Sequence, residues 1–253
     1  MKPRLTYQPG HSALHRLHPL VKLAWLLYVT VLVFAAADTR LVLGALVVVG
    51  LLFPLAGLRL GEVRGLRLFL STALMLAALQ IVFVHAGEPL LALGPLTVSS
   101  GGVEAGAYVA ARFLSVVLLS ALFVATTAPN DLAYALMQAG LPYRYGFALV
   151  TALRLVPVFE REALLVYRAQ LARGVAYDRR SLRRVLTLAR QFLLPMLVSA
   201  LGKVETLAVS MEGRCFGKYP TRTYLHVRRP ARLDGLAVGL LALAILALGV
   251  YLW

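Results

Sequence analysis

The segment 103–125, VEAGAYVAARFLSVVLLSALFVA, decides the fold class of this chain. It contains only two charged residues, Glu104 and Arg112. A helix needs about 20 predominantly apolar residues to cross the hydrocarbon core of a bilayer, and this segment is long enough to do so. Four further apolar runs predict other spans: Leu20–Ala37, Leu41–Leu58, Leu68–Ala86 and Leu236–Trp253. The sequence therefore predicts an all-α membrane protein with about five transmembrane helices.

The composition agrees with a membrane location. Of the 253 residues 60% are hydrophobic, and the formal net charge is +15. A soluble domain is closer to about 45–50% apolar. The basic residues lie beside the apolar runs, where cytoplasmic loops collect Lys and Arg, so a membrane location is favoured over nucleic-acid binding. The one cysteine, Cys215, excludes an internal disulfide and any metal site with several cysteines.

The distribution of Lys and Arg predicts the orientation, because these residues concentrate on the cytoplasmic side. The loop 87–102 has neither, whereas residues 128–233 contain 17 of them. Basic residues also flank the first spans: Lys2, Arg4, Arg16, Lys22, Arg59, Arg64 and Arg67. We therefore expect a cytoplasmic N-terminus and an external C-terminus. The prolines and glycines of the external loop 87–102 predict a short hairpin or a re-entrant turn.

Three regions follow from this scheme: residues 1–128 with four spans, a cytoplasmic domain at 129–233, and a C-terminal span at 234–253. The cytoplasmic domain begins with a short predicted helix, Leu132–Ala139. Two long amphipathic patterns follow, at about Tyr145–Arg173 and Ser181–Arg214, with apolar residues at three-and-four spacing.

Each long pattern contains one proline, Pro157 or Pro195, where a kink is expected because a backbone hydrogen bond is lost. The stretch Phe192–Leu201 is too apolar to face water, yet its flanks are basic. This combination predicts a helix that lies along the inner face of the membrane.

Catalysis is poorly supported by the sequence. It has no His–Glu zinc motif and no Gly-rich phosphate loop. Three histidines close to the N-terminus, His11, His15 and His18, could bind a metal, but solvated interface residues are the favoured interpretation. Within a span, Arg112 is either functional or paired within the helix bundle, or else it snorkels or forms an internal pair that only fixes packing.

Both long amphipathic patterns end in an arginine between small residues. Ala172-Arg173-Gly174 ends the first, and Gly213-Arg214-Cys215 ends the second. A cation suits a helix C-terminus, where exposed carbonyls carry partial negative charge, and Gly174 can adopt the left-handed conformation of a helix cap. An arginine so placed can form a bidentate bond with a carboxylate on another chain.

These motifs resemble the transmembrane (T) component of energy-coupling factor transporters, and the resemblance covers nearly the whole chain. Five segments carry it: Tyr7–Leu23, Thr126–Leu132, Leu153–Pro157 with Arg154, Ala169–Gly174, and Ser210–Gly217 with Glu212. There are departures. Gly213 and Cys215 flank the second arginine where the family usually has Ala and then Gly or Ser. Ala128 and His18 stand where Ser and Asp are frequent.

The resemblance implies a complex with two ABC ATPases and a small membrane S component that binds the substrate, a vitamin or a transition-metal ion. The chain would then have no catalytic residues, metal or cofactor of its own, since its partner ATPases bind ATP. It would lie in a prokaryotic cell (inner) membrane. Two other classes of membrane protein are less well supported by the sequence. An intramembrane enzyme would need clusters of carboxylate, His or Ser, and a secondary carrier would show internal repeats and broken helices.

Overall fold

A computed structural model of the protein describes residues 7–8, 10, 12–58, 61, 65–93, 96–175, 182–219, 234–240 and 243–244. The chain forms two compact units, Met1–Ala135 with Arg228–Trp253, and Leu136–Val227. The predicted division at residues 128 and 233 stays a prediction. Several residues named above lie outside the described part: Lys2, Arg4, Arg59, Arg64, His11 and the last span beyond residue 244.

The first unit is built from apolar helices. A short helix, α1 (Ala13–Arg16), precedes four long helices that begin and end within three residues of the predicted spans: α2 (Pro19–Ala35), α3 (Thr39–Leu55), α4 (Leu66–Phe83) and α5 (Ser100–Thr126). The last two have the length and hydropathy of membrane spans, whereas α2 and α3 are shorter apolar helices. The predicted all-α, multi-pass membrane class is confirmed.

The longest helix of this unit, α5, packs against the other three long helices. Its residues Leu118, Leu119 and Leu122 form a buried cluster with Val49 and Phe53 of α3. Gly106 of α5 lies so close to α4 that a Cβ atom there would be 2.8 Å from the carbonyl oxygen of Ala77. The absence of a side chain at this position therefore lets two backbones approach, as in many helix pairs within membranes.

The faces turned away from α5 are apolar and exposed. On α4, for example, Leu74 and Phe83 are each 72% exposed. In a soluble protein such a surface would be an aggregation hazard, but in a bilayer it contacts lipid tails. The exposure of large apolar residues on these helices therefore agrees with a membrane environment.

A small antiparallel hairpin joins α4 to α5. Its strands are β1 (Pro89–Leu93) and β2 (Leu96–Ser99), with Pro89 opposite Ser99 and Leu93 opposite Leu96. Of the two structures predicted for this loop, the hairpin is the one observed. Ser99 then caps α5, because its hydroxyl accepts a hydrogen bond from the backbone N–H of Gly102.

The C-terminal helix, described over residues 234–240 and 243–244, runs beside α2. The indole of Trp25 donates to the carbonyl of Ala237 at 3.1 Å, and the hydroxyl of Tyr28 donates to the carbonyl of Ala244 at 2.6 Å. Residue numbers rise together on both helices, so the helices are parallel. A five-span scheme requires this, since its first and last spans cross in the same direction.

We expect the hairpin connection to face the outside of the cell. In a Cys215→Ser chain, Glu88→Cys introduces a thiol at an exposed position before β1. A membrane-impermeant maleimide should label it in intact cells, whereas Lys218→Cys in the second unit should be labelled only after lysis. Labelling of Glu88→Cys only after lysis would contradict the predicted orientation.

The second unit contains two long helices, α7 (Tyr143–Ala172) and α8 (Leu182–Gly213), and it begins within the short helix α6 (Pro129–Gln138). These helices confirm the three patterns predicted from the sequence. Both Pro157 and Pro195 lie inside their helices, and kinks there stay a prediction.

The helices α7 and α8 are antiparallel. The side-chain amide of Gln170 donates to the carbonyl of Gln191 at 3.0 Å, and Glu162 accepts a hydrogen bond from Ser199 at 2.6 Å. Near the other end, the ring of Phe147 lies 4.5 Å from that of Phe216. Residue numbers fall on α8 as they rise on α7, so the start of one helix lies beside the end of the other.

Candidate functional site: two arginine-capped helix ends

The first arginine occupies the C-cap position of α7. Arg173 has φ −81° and ψ 5°, and Gly174 follows with φ +79°. The N–H of Gly174 donates to the carbonyl of Leu171 at 2.9 Å, and that of Val175 donates to Gln170 at 3.1 Å. This pair of hydrogen bonds defines a Schellman cap, in which the residue after the cap is left-handed. The predicted conformation of Gly174 is confirmed.

The second arginine occupies the same position at the end of α8. The N–H of Cys215 donates to the carbonyl of Glu212 at 2.9 Å, and that of Phe216 donates to Met211 at 2.9 Å. These bonds repeat the Schellman pattern with Arg214 as the C-cap. Both arginines are exposed, as are their neighbours Ala172 and Gly213. The two motifs thus have one local geometry, which the sequence did not predict for the second.

The second cap differs at the residue that follows the arginine. Cys215 has φ +52°, the one positive φ outside glycine in the described part of the chain. A left-handed conformation brings Cβ close to the following carbonyl and costs about 1–2 kcal/mol for residues other than glycine. Cys215 stands where the family usually has Gly or Ser, so this departure places strain directly beside Arg214.

We therefore expect Cys215→Gly to stabilise the end of α8. Relief of the left-handed strain, less the entropy that glycine loses on folding, leaves a gain of about 0.5–1 kcal/mol. The melting temperature of the purified protein should rise. Cys215→Ser is the matched control, since it removes the thiol but keeps Cβ, and it should not raise the melting temperature. An equal rise in both variants would show that the thiol, not the backbone, is responsible.

Antiparallel packing places the two arginines at opposite ends of the helix pair. Arg173 ends α7, whereas Phe216, two residues after Arg214, contacts Tyr143 at the start of α7 with ring centroids 5.7 Å apart. The 30 residues of α7 would span about 45 Å at 1.5 Å per residue if the helix is straight. The two cationic caps are therefore separated by a distance on the order of 40 Å.

Each cap is held by a neighbouring contact. Beside Arg214, the ring of Phe216 packs on Tyr143 and Phe147, and Arg144 donates to the carbonyl of Gly217 at 3.5 Å. At the opposite end of the pair, Gln170, which is only 7% exposed, ties the last turn of α7 to α8. Within the described residues, these contacts at the helix ends are made by side chains other than the two arginines, and both arginines are exposed.

Between the caps, one ion pair links the two helices. The carboxylate of Glu162 accepts from Lys203 at 3.0 Å and from Ser199 at 2.6 Å. These hydrogen bonds hold the pKa of Glu162 below its ordinary value. The other candidate residues of this unit occupy less constrained places, since Arg154 and Glu212 are exposed and the carbonyl of Glu212 serves the Schellman cap.

The face of α8 that points away from α7 is apolar and exposed. Its members are between 54% and 69% exposed: Leu193, Leu194, Leu197, Val198, Leu201 and Val204. We call these residues the α8 apolar face. It is continuous over three turns of the helix, and nothing in the described part of the second unit covers it.

By length and hydropathy alone, Leu186–Gly213 of α8 could cross a membrane. Its partner α7, however, has exposed charges along its length, among them Arg154, Glu160, Arg161 and Arg168. Because the helices pair along their length, a spanning α8 would carry these charges into hydrocarbon, where they are costly. The pairing therefore favours the predicted position of α8 at the membrane surface.

Arg112 is paired inside the first unit. Its guanidinium donates to the carbonyls of Val33 at 3.1 Å and Phe34 at 3.4 Å and bonds with the hydroxyl of Tyr108. It also lies 5.0 Å from the centre of the Phe34 ring. A cation thus caps the C-terminal carbonyls of α2, where the helix dipole is negative. Among the interpretations of Arg112, these contacts favour an internal pair over snorkelling.

The N-terminal histidines make contacts of their own. Both ring nitrogens of His15 lie within hydrogen-bond distance of other groups, the hydroxyl of Ser12 at 2.7 Å and the carbonyl of Gln8 at 3.1 Å. The ring of His18 accepts from the N–H of Leu20 and so caps α2. Within the described residues there is no group of three or more His, Cys, Asp or Glu that could hold a metal ion.

Taken together, the fold and these sites define a multi-pass helical membrane protein that presents an antiparallel helix pair with an arginine at each end. The sequence pattern of the CbiQ family, described as "Cobalt transport protein", matches residues 10–225. The chain belongs to this EcfT/CbiQ family.

Similar proteins span most of the chain. The energy-coupling factor transporter transmembrane protein EcfT of Lacticaseibacillus paracasei is 30% identical over 242 residues, which cover 92% of each chain. EcfT of Lactococcus lactis is 28% identical over 255 residues, 95% of this chain and 94% of that one. A putative ABC transporter ATP-binding protein of Bifidobacterium longum is 30% identical over 228 residues, 85% of this chain but 29% of its own length.

Proposed function

We propose that the chain is the energy-coupling transmembrane subunit of an energy-coupling factor importer. It would transmit the movement of two ABC ATPases to an S component that binds a vitamin or a transition-metal ion. One observation carries the proposal: two exposed arginines occupy equivalent Schellman caps at opposite ends of one antiparallel helix pair.

Equivalent local geometry suits two partners with equivalent binding grooves. Each cap presents a planar guanidinium at the end of a helix, a form that pairs with a carboxylate through two parallel hydrogen bonds. A separation on the order of 40 Å lets two partner domains bind side by side without overlap, since a small domain is roughly 30 Å across. A pair of ATPases fits this arrangement better than one acidic partner does.

The similar proteins support an ATP-driven system. Those named EcfT are called energy-coupling factor transporter transmembrane proteins. In the Bifidobacterium longum protein, the similar segment makes up 29% of a chain named as ATP-binding. If chains of this kind work together with ATPases, some of them should be fused to an ATP-binding protein. The Bifidobacterium longum protein agrees with that expectation.

The S component would dock on the α8 apolar face. Such a surface needs an apolar partner, and a position at the membrane surface, as proposed for α8, would limit that partner to lipid or a membrane protein. The N-terminus and the second unit would lie in the cytoplasm of a prokaryotic cell, where the ATPases have access to ATP.

The chain alone should neither hydrolyse ATP nor bind the transported substrate tightly. It has no phosphate-binding loop, and its role in this proposal is mechanical. The measurement is phosphate release by the purified chain and then by the chain with the ATPases that co-purify with it. Hydrolysis by a preparation that mass spectrometry shows to be free of ATPases would contradict the non-enzyme assignment.

The proposal is tested by affinity purification of the tagged chain from its own cells under mild detergent, followed by mass spectrometry. We expect two ABC ATPases, or two copies of one, and at least one small membrane protein in addition. Recovery of the chain without any ATPase, under conditions in which it stays folded, would overturn the proposed function.

A further inference from the structure

The described residues of the N-terminal segment (7–8, 10 and 12–22) contact two places in the first unit that are far apart in sequence. The first place is the end of α5 at Thr126, and the second is the start of the C-terminal helix at residue 234. These positions are more than a hundred residues apart in sequence, yet one short segment contacts both. Neither the lipid-facing surface nor the arginine caps require this.

The first contact is made at the end of α5. The ammonium of Lys22 donates to the carbonyl of Thr126 at 2.8 Å, and the backbone N–H of Gln8 donates to the carbonyl of Ala125 at 3.0 Å. Both carbonyls belong to the last turn of α5, where the carbonyl oxygens receive no hydrogen bond from N–H groups of the same helix. A cation and an N–H group thus satisfy the negative end of that helix.

The position of Lys22 on its own helix makes this contact informative. Lys22 lies in the first turn of α2, where the helix dipole disfavours a positive charge. A neutral or acidic residue in the first turn of α2 would stabilise that helix more than a lysine does. The contact with Thr126 supplies a reason for the lysine, since its charge serves the C-terminus of a different helix.

The second contact is made at the start of the C-terminal helix. The carboxylate of Asp234, which is 4% exposed, accepts a hydrogen bond from the backbone N–H of His18 at 2.6 Å. His18 is the N-cap of α2, so the carboxylate also lies at the positive end of that helix. Trp25 extends the contact with its bond to the carbonyl of Ala237.

His15 holds the segment in this shape. It is 5% exposed, and its ring nitrogens lie 2.7 Å from Ser12 Oγ and 3.1 Å from the carbonyl oxygen of Gln8. A Cβ atom at Gly10 would be 2.7 Å from the same ring. The ammonium of Lys22 also reaches the carbonyl of His15 at 3.5 Å. Contacts within the segment thus fix both of its outward contacts.

We propose that this segment is a junction clamp, in which Lys22 and Asp234 are positioning residues for energy coupling. The clamp ties the end of α5 and the start of the C-terminal helix to α2, so that these two helix ends and α2 move as one body. This inference rests on the proposed function for its consequence, but the clamp itself is a property of the first unit. Without it, the ATPases would bind and hydrolyse ATP while less of their movement reached the membrane helices.

The clamp is tested first in the purified full chain by hydrogen exchange with mass spectrometry. Lys22→Met keeps the aliphatic stem but removes the charge, and it should speed amide exchange about tenfold in peptides that cover the last turn of α5. Asp234→Ala removes the acceptor of the His18 N–H and should do the same at residues 234–240, whereas Lys22→Arg should retain protection. The matched control is Arg40→Met, an exposed cation at the start of α3, which should leave both regions unchanged.

The second measurement uses the complex obtained with its co-purifying ATPases, reconstituted in vesicles. We expect Lys22→Met to keep the ATPases in wild-type amounts but to lower substrate uptake per ATP hydrolysed about tenfold, with recovery in Lys22→Arg. Wild-type exchange rates in both variants, or uptake that falls only in proportion to lost ATPase, would overturn the clamp. Failure of the wild-type chain to bind ATPases would overturn the proposed function instead, and the exchange result would still decide the clamp.

Discussion

A chain that carries both Arg173→Glu and Arg214→Glu is expected to insert and fold in the membrane but to lose its ATPases on purification. Removal of one partner from a buried charge pair costs about 2–5 kcal/mol, because the other charge stays unpaired. Reversal of the sign should cost more, since two like charges then face each other. Each single variant should co-purify with less ATPase than the wild type but more than the double variant. The two caps lie far apart, so their effects on binding should add.

Two controls separate the cap position from charge in general. Arg168→Glu reverses an exposed arginine on the same helix, five residues before Arg173, and should co-purify with ATPases as the wild type does. Arg173→Lys keeps the charge but loses the planar fork, so partial binding is expected. If the double variant retained its ATPases and transported like the wild type, the arginine caps would have no role in coupling.

The second large effect is expected on the α8 apolar face. Leu197→Asn with Leu201→Asn places two amides at positions that are 57% and 60% exposed, one turn apart. Truncation of a central apolar anchor at an interface typically costs about 2 kcal/mol or more, and a buried unpaired amide adds to that cost. The S component should be lost from the purified complex, whereas both ATPases should remain.

The matched control lies on another side of the same helix. Thr206→Asn introduces the same amide at an exposed residue about 150° around α8 from the centre of the apolar face. It should leave the S component bound. Loss of the ATPases together with the S component in the Leu197→Asn/Leu201→Asn chain would indicate that α8 had unfolded, and equal loss in the Thr206→Asn chain would contradict an apolar docking face.

The long elements of this fold are predictable because each is encoded locally. Uninterrupted apolar runs define α4 and α5, and three-and-four spacing defines α7 and α8. Pro19 and Pro129 each stand at the first position of a helix, where the missing N–H is not needed. Such signals depend on neighbouring residues, so the predicted and observed ends agree closely.

Most of the contacts that could not be predicted from the sequence are hydrogen bonds from side chains to backbone carbonyls. In the sequence, Lys22 is a basic residue beside a span and part of the N-terminal segment that resembles the family, and nothing there indicates that its partner is the carbonyl of Thr126. The same holds for Arg112 and the carbonyls at the end of α2. Every residue has a backbone carbonyl, so the amino-acid type at a position does not indicate whether its carbonyl accepts a hydrogen bond from a side chain.

The relation between the two arginines was also hidden. Each motif could be read from its own tripeptide, but their placement at opposite ends depends on the direction in which α7 and α8 pair. Contacts such as Glu162 with Ser199 and Phe147 with Phe216 decide that direction. The conformation of Cys215 was hidden for another reason, since tertiary contacts of Phe216 hold a left-handed residue that local preference disfavours.

The most direct test of energy coupling through the two caps is photocrosslinking from those caps in native membranes. The exposed thiol of Cys215 accepts a short thiol-reactive photocrosslinker beside Arg214 without mutation, and Ala172→Cys in a Cys215→Ser chain offers the same beside Arg173. After irradiation and mass spectrometry, we expect the main protein product from each position to be an ABC ATPase. Crosslinks from both positions to lipid or to membrane proteins alone, with no ATPase among the products, would contradict the account.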